Sequence, residues 1–240
     1  MKKKLILGLA GLGAVLIMAP LFAAFEAHVI NVTAQIENAL FVHPQSRNFG
    51  TVFPQEYEEL GIFVTFSESF SAEDQTRVGT VEYDIKQKPK PRPAYVTQVG
   101  AGPARAWCHD NYPSTPYDPN DPAWTAYLNN CYPSLCPYLS KTPDGSPAPG
   151  NDTGVPAFHD PNATSSVAHG KINKFSADVG DGWVIDLAVP CFKGQCAQDW
   201  GQFVLGLNPN AGDPAQYELP SQLEHQVFGC DLWVEVTDIY

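Results

Sequence analysis

The chemistry-bearing residues of this chain are led by six cysteines: Cys108, Cys131, Cys136, Cys191, Cys196 and Cys230. Two pairs share C-x4-C spacing, Cys131/Cys136 and Cys191/Cys196. Zinc favours tighter C-x2-C pairs or a matching His-x3-His, and the chain has neither. An even number of cysteines behind an export signal reads instead as three disulfides, with fifteen possible connectivities. The preferred set closes Cys191–Cys196 over a turn at Lys193-Gly194, places Cys108–Cys131 inside one irregular segment, and ties that segment to the last strand through Cys136–Cys230. Cys108-His109-Asp110 resembles a thiol catalyst on paper, but a cysteine with five potential disulfide partners is not expected to be a free nucleophile.

Other catalytic patterns are absent. The chain has no G-x-S-x-G elbow, Walker loop, Rossmann glycine pattern or H-E-x-x-H helix. Its six histidines, at 28, 43, 109, 159, 169 and 225, lack ligand spacing. Glu56, Glu58 and Glu59 form a carboxylate cluster that reads as a solvated turn. Paired carboxylates for glycoside hydrolysis are set by fold and not by spacing, so an exported hydrolase stays a third-ranked reading. No cofactor is expected; calcium is the one that oxygen donors here would suit. Asp118, Asn120 and Asp121, then Asp178 and Asp181, lie on Gly- and Pro-bent backbone. Turn chemistry alone also accounts for them. N-x-[ST] triplets begin at Asn31, Asn151 and Asn162 and matter only in a glycosylating host.

The elements that position these residues are mostly strands. His28 to Glu37 puts Ile30, Val32, Ala34 and Ile36 on one face; Ile62–Phe66, Thr80–Ile85, Trp183–Val189, Phe203–Leu207 and Leu232–Ile239 continue the pattern. Lys86 to Pro93 alternates cations with prolines and reads as an extended, polyproline-like connector. Residues 100–170 are rich in turn formers. Asp121-Pro122 marks one short helix there, through Asn129, with Trp124, Tyr127 and Leu128 on one face. The expected fold is all-β: an antiparallel, jelly-roll-like sandwich with a disulfide-tethered irregular insert. Residues 25–99 and 171–240 supply its two β parts. The insert over 100–170 is expected to be dispensable for the sandwich.

Residues 1–24 read as a signal peptide: Met1-Lys2-Lys3-Lys4, an apolar run from Leu5 to Ala19, then Pro20 and Ala23-Ala24. Phe22 makes a weak cleavage site, and the alternative is an uncleaved anchor over Leu5–Phe25. The whole chain carries a formal charge of −12. Removing residues 1–24 takes three lysines and leaves 11 basic against 26 acidic residues, a charge of −15. Such a surface disfavours nucleic acid and anionic lipid. Membrane contact is then expected only through an uncleaved N-terminus.

The N-terminal region, about residues 1–85, resembles the TasA/camelysin family of exported biofilm-fibre proteins. The likeness lies in the lysine-led signal ending at Ala23-Ala24-Phe25 and in the strand at Asn31-Val32-Thr33-Ala34. It continues in Phe49-Gly50-Thr51-Val52-Phe53-Pro54-Gln55-Glu56 ahead of Ile62-Phe63-Val64-Thr65-Phe66. It implies a dedicated signal peptidase, a jelly-roll subunit, and fibres built by β-strand exchange. Glu26-Ala27-His28, the six cysteines and the insert depart from the family's pattern, and no zinc motif supports the peptidase activity attributed to parts of it.

The leading expectation is a secreted, non-enzymatic surface or matrix protein that self-associates, with Ile30, Val32, Ala34 and Ile36 as the exchanged face. A cell-surface or matrix polymer is the other expected partner. The alternative is a secreted carbohydrate- or surface-binding β-sandwich, with Trp107, Trp124 and Tyr112, and with Tyr117 and Tyr132 beside them, as a stacking platform.

Overall fold

The computed structural model describes residues 37–72, 76–115, 117–146, 150–161 and 163–240. The signal segment and the alternating run through Ile36 lie outside the described residues. Among the described residues there are seven strands: β1 Leu40–His43, β2 Tyr57–Phe66, β3 Thr80–Pro89, β4 Thr142–Pro143, β5 Ala168–Asn173, β6 Gly180–Ala188 and β7 Cys230–Ile239. They form a four-stranded sheet in the order β1-β2-β6-β4 and a three-stranded sheet in the order β5-β3-β7. Every pairing is antiparallel. The sheets pack face to face as a β-sandwich, and residues 38–240 make one compact unit.

Period-two alternation decides which side chains enter the core. On β3, Val81, Tyr83, Ile85 and Gln87 are buried, and all point toward the other sheet. Their β7 partners Leu232, Val234 and Val236 share that face through the register Gln87↔Leu232, Ile85↔Val234 and Tyr83↔Val236. Val64, Trp183, Ile185 and Leu187 meet them from β2 and β6. Tyr83 Oη donates to Asp181 Oδ2 at 2.5 Å, and Trp183 Nε1 donates to Tyr83 Oη at 2.8 Å, so a polar bridge crosses the interface.

Two expected elements are corrected. Lys86 to Pro89 is the end of β3 and not a polyproline connector. Lys86 and Lys88 project outward onto Glu235 of β7, at 2.9 and 2.7 Å, and opposite charges on facing strands favour pairing. Pro93 then opens helix α2, Pro93–Val99, after the four-residue helix α1, Glu68–Ser71. Phe203–Leu207 is also no strand. It belongs to a helix whose Trp200 and Val204 are buried and whose Phe203 and Leu207 pack on the core, a three-to-four spacing that a five-residue apolar run cannot reveal.

The insert holds helices α3, Ala101–Asp110, and α4, Pro122–Asn130; the helix at Trp200–Leu207 is α5. Asp121 caps α4 by accepting from Ala123 N at 2.8 Å, with Pro122 at its start. The three disulfides are Cys108–Cys131, Cys136–Cys230 and Cys191–Cys196, and no cysteine is free. The first staples α3 to the end of α4 around a satellite core of Trp124 and Tyr127.

The second half of the insert, expected to be dispensable, contributes side chains to the main core. Tyr138, Leu139, Val155, Ala157 and Phe158 are buried in the main core, because strands alone do not fill it. Phe158 is fully buried and meets Tyr138, Trp200, Phe203 and Tyr217 at ring separations of 5.4 to 6.1 Å. Its backbone is left-handed, with φ of 58°, a conformation bulky residues rarely adopt unless surroundings impose it. Phe158→Ala is therefore expected to cost about 3–5 kcal/mol in denaturant unfolding of the oxidised protein. A cost below 1 kcal/mol would show that this segment merely covers the core.

Candidate functional site

A cleft of about 970 Å³ lies between the inner face of the four-stranded sheet and β7. Ile62, Ile185 and Leu187 border it from β2 and β6, and Leu232 and Val234 border it from β7. Segments 44–54 and 224–229 complete its walls. The first carries Phe49 to Pro54 of the Phe49–Glu56 run noted in the sequence. It is tied down where Gln55 N donates to Val189 O at 2.9 Å and Val189 N donates to Glu56 O at 3.0 Å. Glu56 also accepts from Phe53 N at 2.7 Å, so this carboxylate shapes a turn. Arg47 Nε reaches back to Gly61 O at 2.8 Å.

Among the described residues β7 is an edge strand, with no strand paired to it on the side away from β3. Its inward residues are incompletely covered: Leu232 and Val234 are only partly buried, and Val236 is 42 % exposed. Phe53 and Val227, two more residues bordering the cleft, are also well exposed. Of the charged residues that border it, Arg47 and Arg105 are exposed, whereas Lys90, Glu224 and Asp231 are partly buried. Arg105 and Lys90 flank Asp231 at 3.4 and 3.7 Å. An apolar trough beside a strand edge that no described strand covers suits an extended peptide better than a reacting small molecule.

The other sequence candidates fall elsewhere. Ile30, Val32, Ala34 and Ile36 lie outside the described residues. Cys108 is in a disulfide, and His109 Nδ1 meets Asp110 at 3.0 Å on the exposed end of α3. Trp124 and Tyr112 meet edge to face, with Tyr117 and Tyr127 around them, so those rings are engaged in packing. Trp107 packs its edge on Tyr95, and Arg92 lies over Tyr132. Asp118 accepts from Asn120 N at 2.8 Å and forms a turn ahead of the Asp121 cap.

Asp178 and Asp181 do come together. Asn151 donates to Asp178 Oδ2 at 2.7 Å, Tyr83 donates to Asp181 Oδ2, and the remaining Oδ1 atoms are both buried without a partner. Burial, with Asp152 and Asp178 adding their negative charge, pushes the Asp181 carboxyl up to about 7, so Asp181 keeps its proton below neutrality. Among the described residues, no group of three or more His, Cys, Asp or Glu is arranged to hold a metal ion. Sequence reasoning missed the buried set Gln87, Lys141 and His159, which no motif marks. Among the described residues, no helix is long and apolar enough to cross a membrane. Comparison with protein families, curated proteins and solved structures finds no match to this chain.

Asp181 keeps its proton in the folded state up to about pH 7, whereas an unfolded aspartate releases it near pH 4. The folded state therefore binds more protons across that window. Its stabilising contribution is full below pH 4 and is lost as pH rises through 7. His159, pushed down to about 4 by burial, slopes oppositely at acidic pH, so the difference between proteins isolates Asp181. Denaturant unfolding from pH 4.5 to 8 should show Asp181→Asn gaining on the parent as pH rises. A difference that shrinks toward neutral pH would refute the raised carboxyl.

Proposed function

We propose that this chain is an exported, non-enzymatic protein of the cell surface or extracellular matrix that assembles into fibres by β-strand exchange. The observation that carries the reading is the edge of β7, which no other described strand covers, with its half-covered inward face beside an apolar cleft of about 970 Å³. The occupant is the segment 25–37 of a second copy. About a dozen extended residues reach roughly 40 Å, enough to leave one subunit and complete the sheet of the next. Main-chain hydrogen bonds to β7 supply affinity, and Ile30, Val32, Ala34 and Ile36 fill the trough.

Three further observations support the reading. The signal-like N-terminus and three disulfides suit an oxidising, extracellular location. The excess of acidic residues keeps unassembled subunits apart. The resemblance of residues 1–85 to exported fibre proteins adds a third, and implies a jelly-roll course of the chain.

The test compares residues 25–240 with a chain beginning at Asn38. Sedimentation and electron microscopy should show the longer chain forming filaments with rising concentration. The shorter chain should stay folded and monomeric and bind a synthetic 25–37 peptide. Val234→Asp, which places a charge in the trough, should reduce that binding by at least about tenfold, since burying an unpaired charge costs more than 1.4 kcal/mol. A longer chain that stays monomeric at high concentration across pH and salt ends the proposal, as does a shorter chain that cannot fold alone.

A further inference from the structure

Lys141 is a fully buried lysine with no carboxylate paired to it among the described residues. Its Nζ donates to Gln87 Oε1 at 2.7 Å and to Ser166 O at 3.0 Å. At the other end of the same carboxamide, Gln87 Nε2 lies 2.5 Å from His159 Nε2. His159 Nδ1 is 2.7 Å from Pro156 O, and a carbonyl can only accept, so Nδ1 carries the ring proton. Nε2 is therefore bare and accepts from the Gln87 amide. That assignment leaves Oε1 as the end facing the lysine, and every contact has one donor and one acceptor.

An amine, a carboxamide and a bare imidazole nitrogen are thus held in one buried line. We propose that Lys141 and Gln87 become joined by an intramolecular isopeptide bond, a covalent tie between the two sheets made by the chain's own side chains. Gln87 stands on the inward face of β3, the central strand of the three-stranded sheet. Lys141 immediately precedes β4 at the edge of the four-stranded sheet.

The step balances without oxidant, metal or cofactor. Burial pushes the Lys141 amine down to about 7, so near neutrality much of it is uncharged and carries a lone pair. Nζ attacks Cδ of Gln87 and the carbonyl π pair moves onto Oε1. The surplus Nζ proton passes to His159 Nε2 and then to the departing Gln87 nitrogen. The carbonyl re-forms as Cδ–Nε2 breaks, and ammonia leaves. One amide replaces another, and the chain loses one ammonia.

Holding the reactants together stands in for an effective concentration of order 10⁵–10⁸ M when they are well oriented. A cavity of about 670 Å³ reaches His159 and Ser166 and gives ammonia a way out. Lys141 and Gln87 do not border that cavity, so water is a poor competitor for the carboxamide. The bond also removes a buried amine that is otherwise costly to charge.

Intact-mass spectrometry of the folded, then reduced and denatured protein decides the matter. The expected parent is lighter by one ammonia, and Lys141→Met and Gln87→Met have their full calculated masses. Chymotryptic mapping should find a branched peptide joining residues 87 and 141. Chymotrypsin is preferred because trypsin would free Gln87 as an N-terminus, which loses ammonia by cyclising. His159→Phe is expected to slow formation by about 10²-fold, the usual scale of a proton relay. A full-mass parent, or an ammonia loss that persists in Lys141→Met, overturns the bond. This readout does not depend on assembly, so it stands apart from the fibre proposal.

Discussion

The narrowness of the three-stranded sheet governs the rest of this molecule. β2 and β6 present an apolar inner face through Ile62, Val64, Trp183, Ile185 and Leu187, and packed sheets require a facing layer at about 10 Å. β3 supplies Val81, Tyr83 and Ile85, and among the described residues the sheet extends no further than β5 and β7 on either side of it. Where strands run out, other chain must take over or the face stays open. The aromatic group around Phe158 is the first solution, recruited from loops and from α5. The cleft beside β7 is the place that the described residues leave without one.

Filling a core with loops brings polar groups inside, and each must find a partner there. Asp186 is met by Ser140 at 2.6 Å, Tyr83 by Asp181 and Trp183, and Gln87 by Lys141 and His159. These networks tie segments far apart in sequence, which specifies one arrangement of irregular chain as apolar contact alone would not. The disulfides act on the same weakness from the unfolded side. Cys136–Cys230 spans 94 residues, worth about 4.5 kcal/mol in the chain-entropy model; the 23-residue Cys108–Cys131 span is worth about 3 and the five-residue Cys191–Cys196 span about 2. The longest of them joins the loop-built core directly to the start of β7.

Much of the sandwich was legible because its strands alternate over enough residues for the period to show. β3, β6 and β7 are of this kind, and Asp121-Pro122 announced α4 through cap chemistry. The disulfide pairing was legible because short or strand-anchored spans are the ones a compact chain can close. Phe203–Leu207 was misread because five apolar residues fit either period, and only Trp200 one turn earlier resolves it. The prolines after Lys86 outweighed the alternation of Lys86, Gln87 and Lys88, whose meaning depends on Glu235, about 150 residues away. The Lys141 site had no sequence signature at all. Gln87, Lys141 and His159 become neighbours only through topology, across separations of 54 and 72 residues.

An exposed strand edge is normally a hazard, because any other extended chain can pair with it. Among the described residues β7 combines that edge with incompletely covered apolar side chains, so under the strand-exchange proposal the molecule needs a means of choosing what binds there. Its anchoring supplies part of the answer. Cys230 fixes the start of the strand, and Lys86 and Lys88 clasp Glu235 from β3, so register is set before any partner arrives. The acidic surface supplies another part, since like-charged subunits approach only when a specific gain offsets their repulsion. In the strand-exchange reading, covalent ties within the sandwich and an open edge on β7 are two halves of one design. A subunit that accepts a foreign strand must not itself unzip when that strand is pulled. The disulfides, and the proposed Lys141–Gln87 bond beside them, place the resistance in covalent bonds and leave the reversible contacts at the edge.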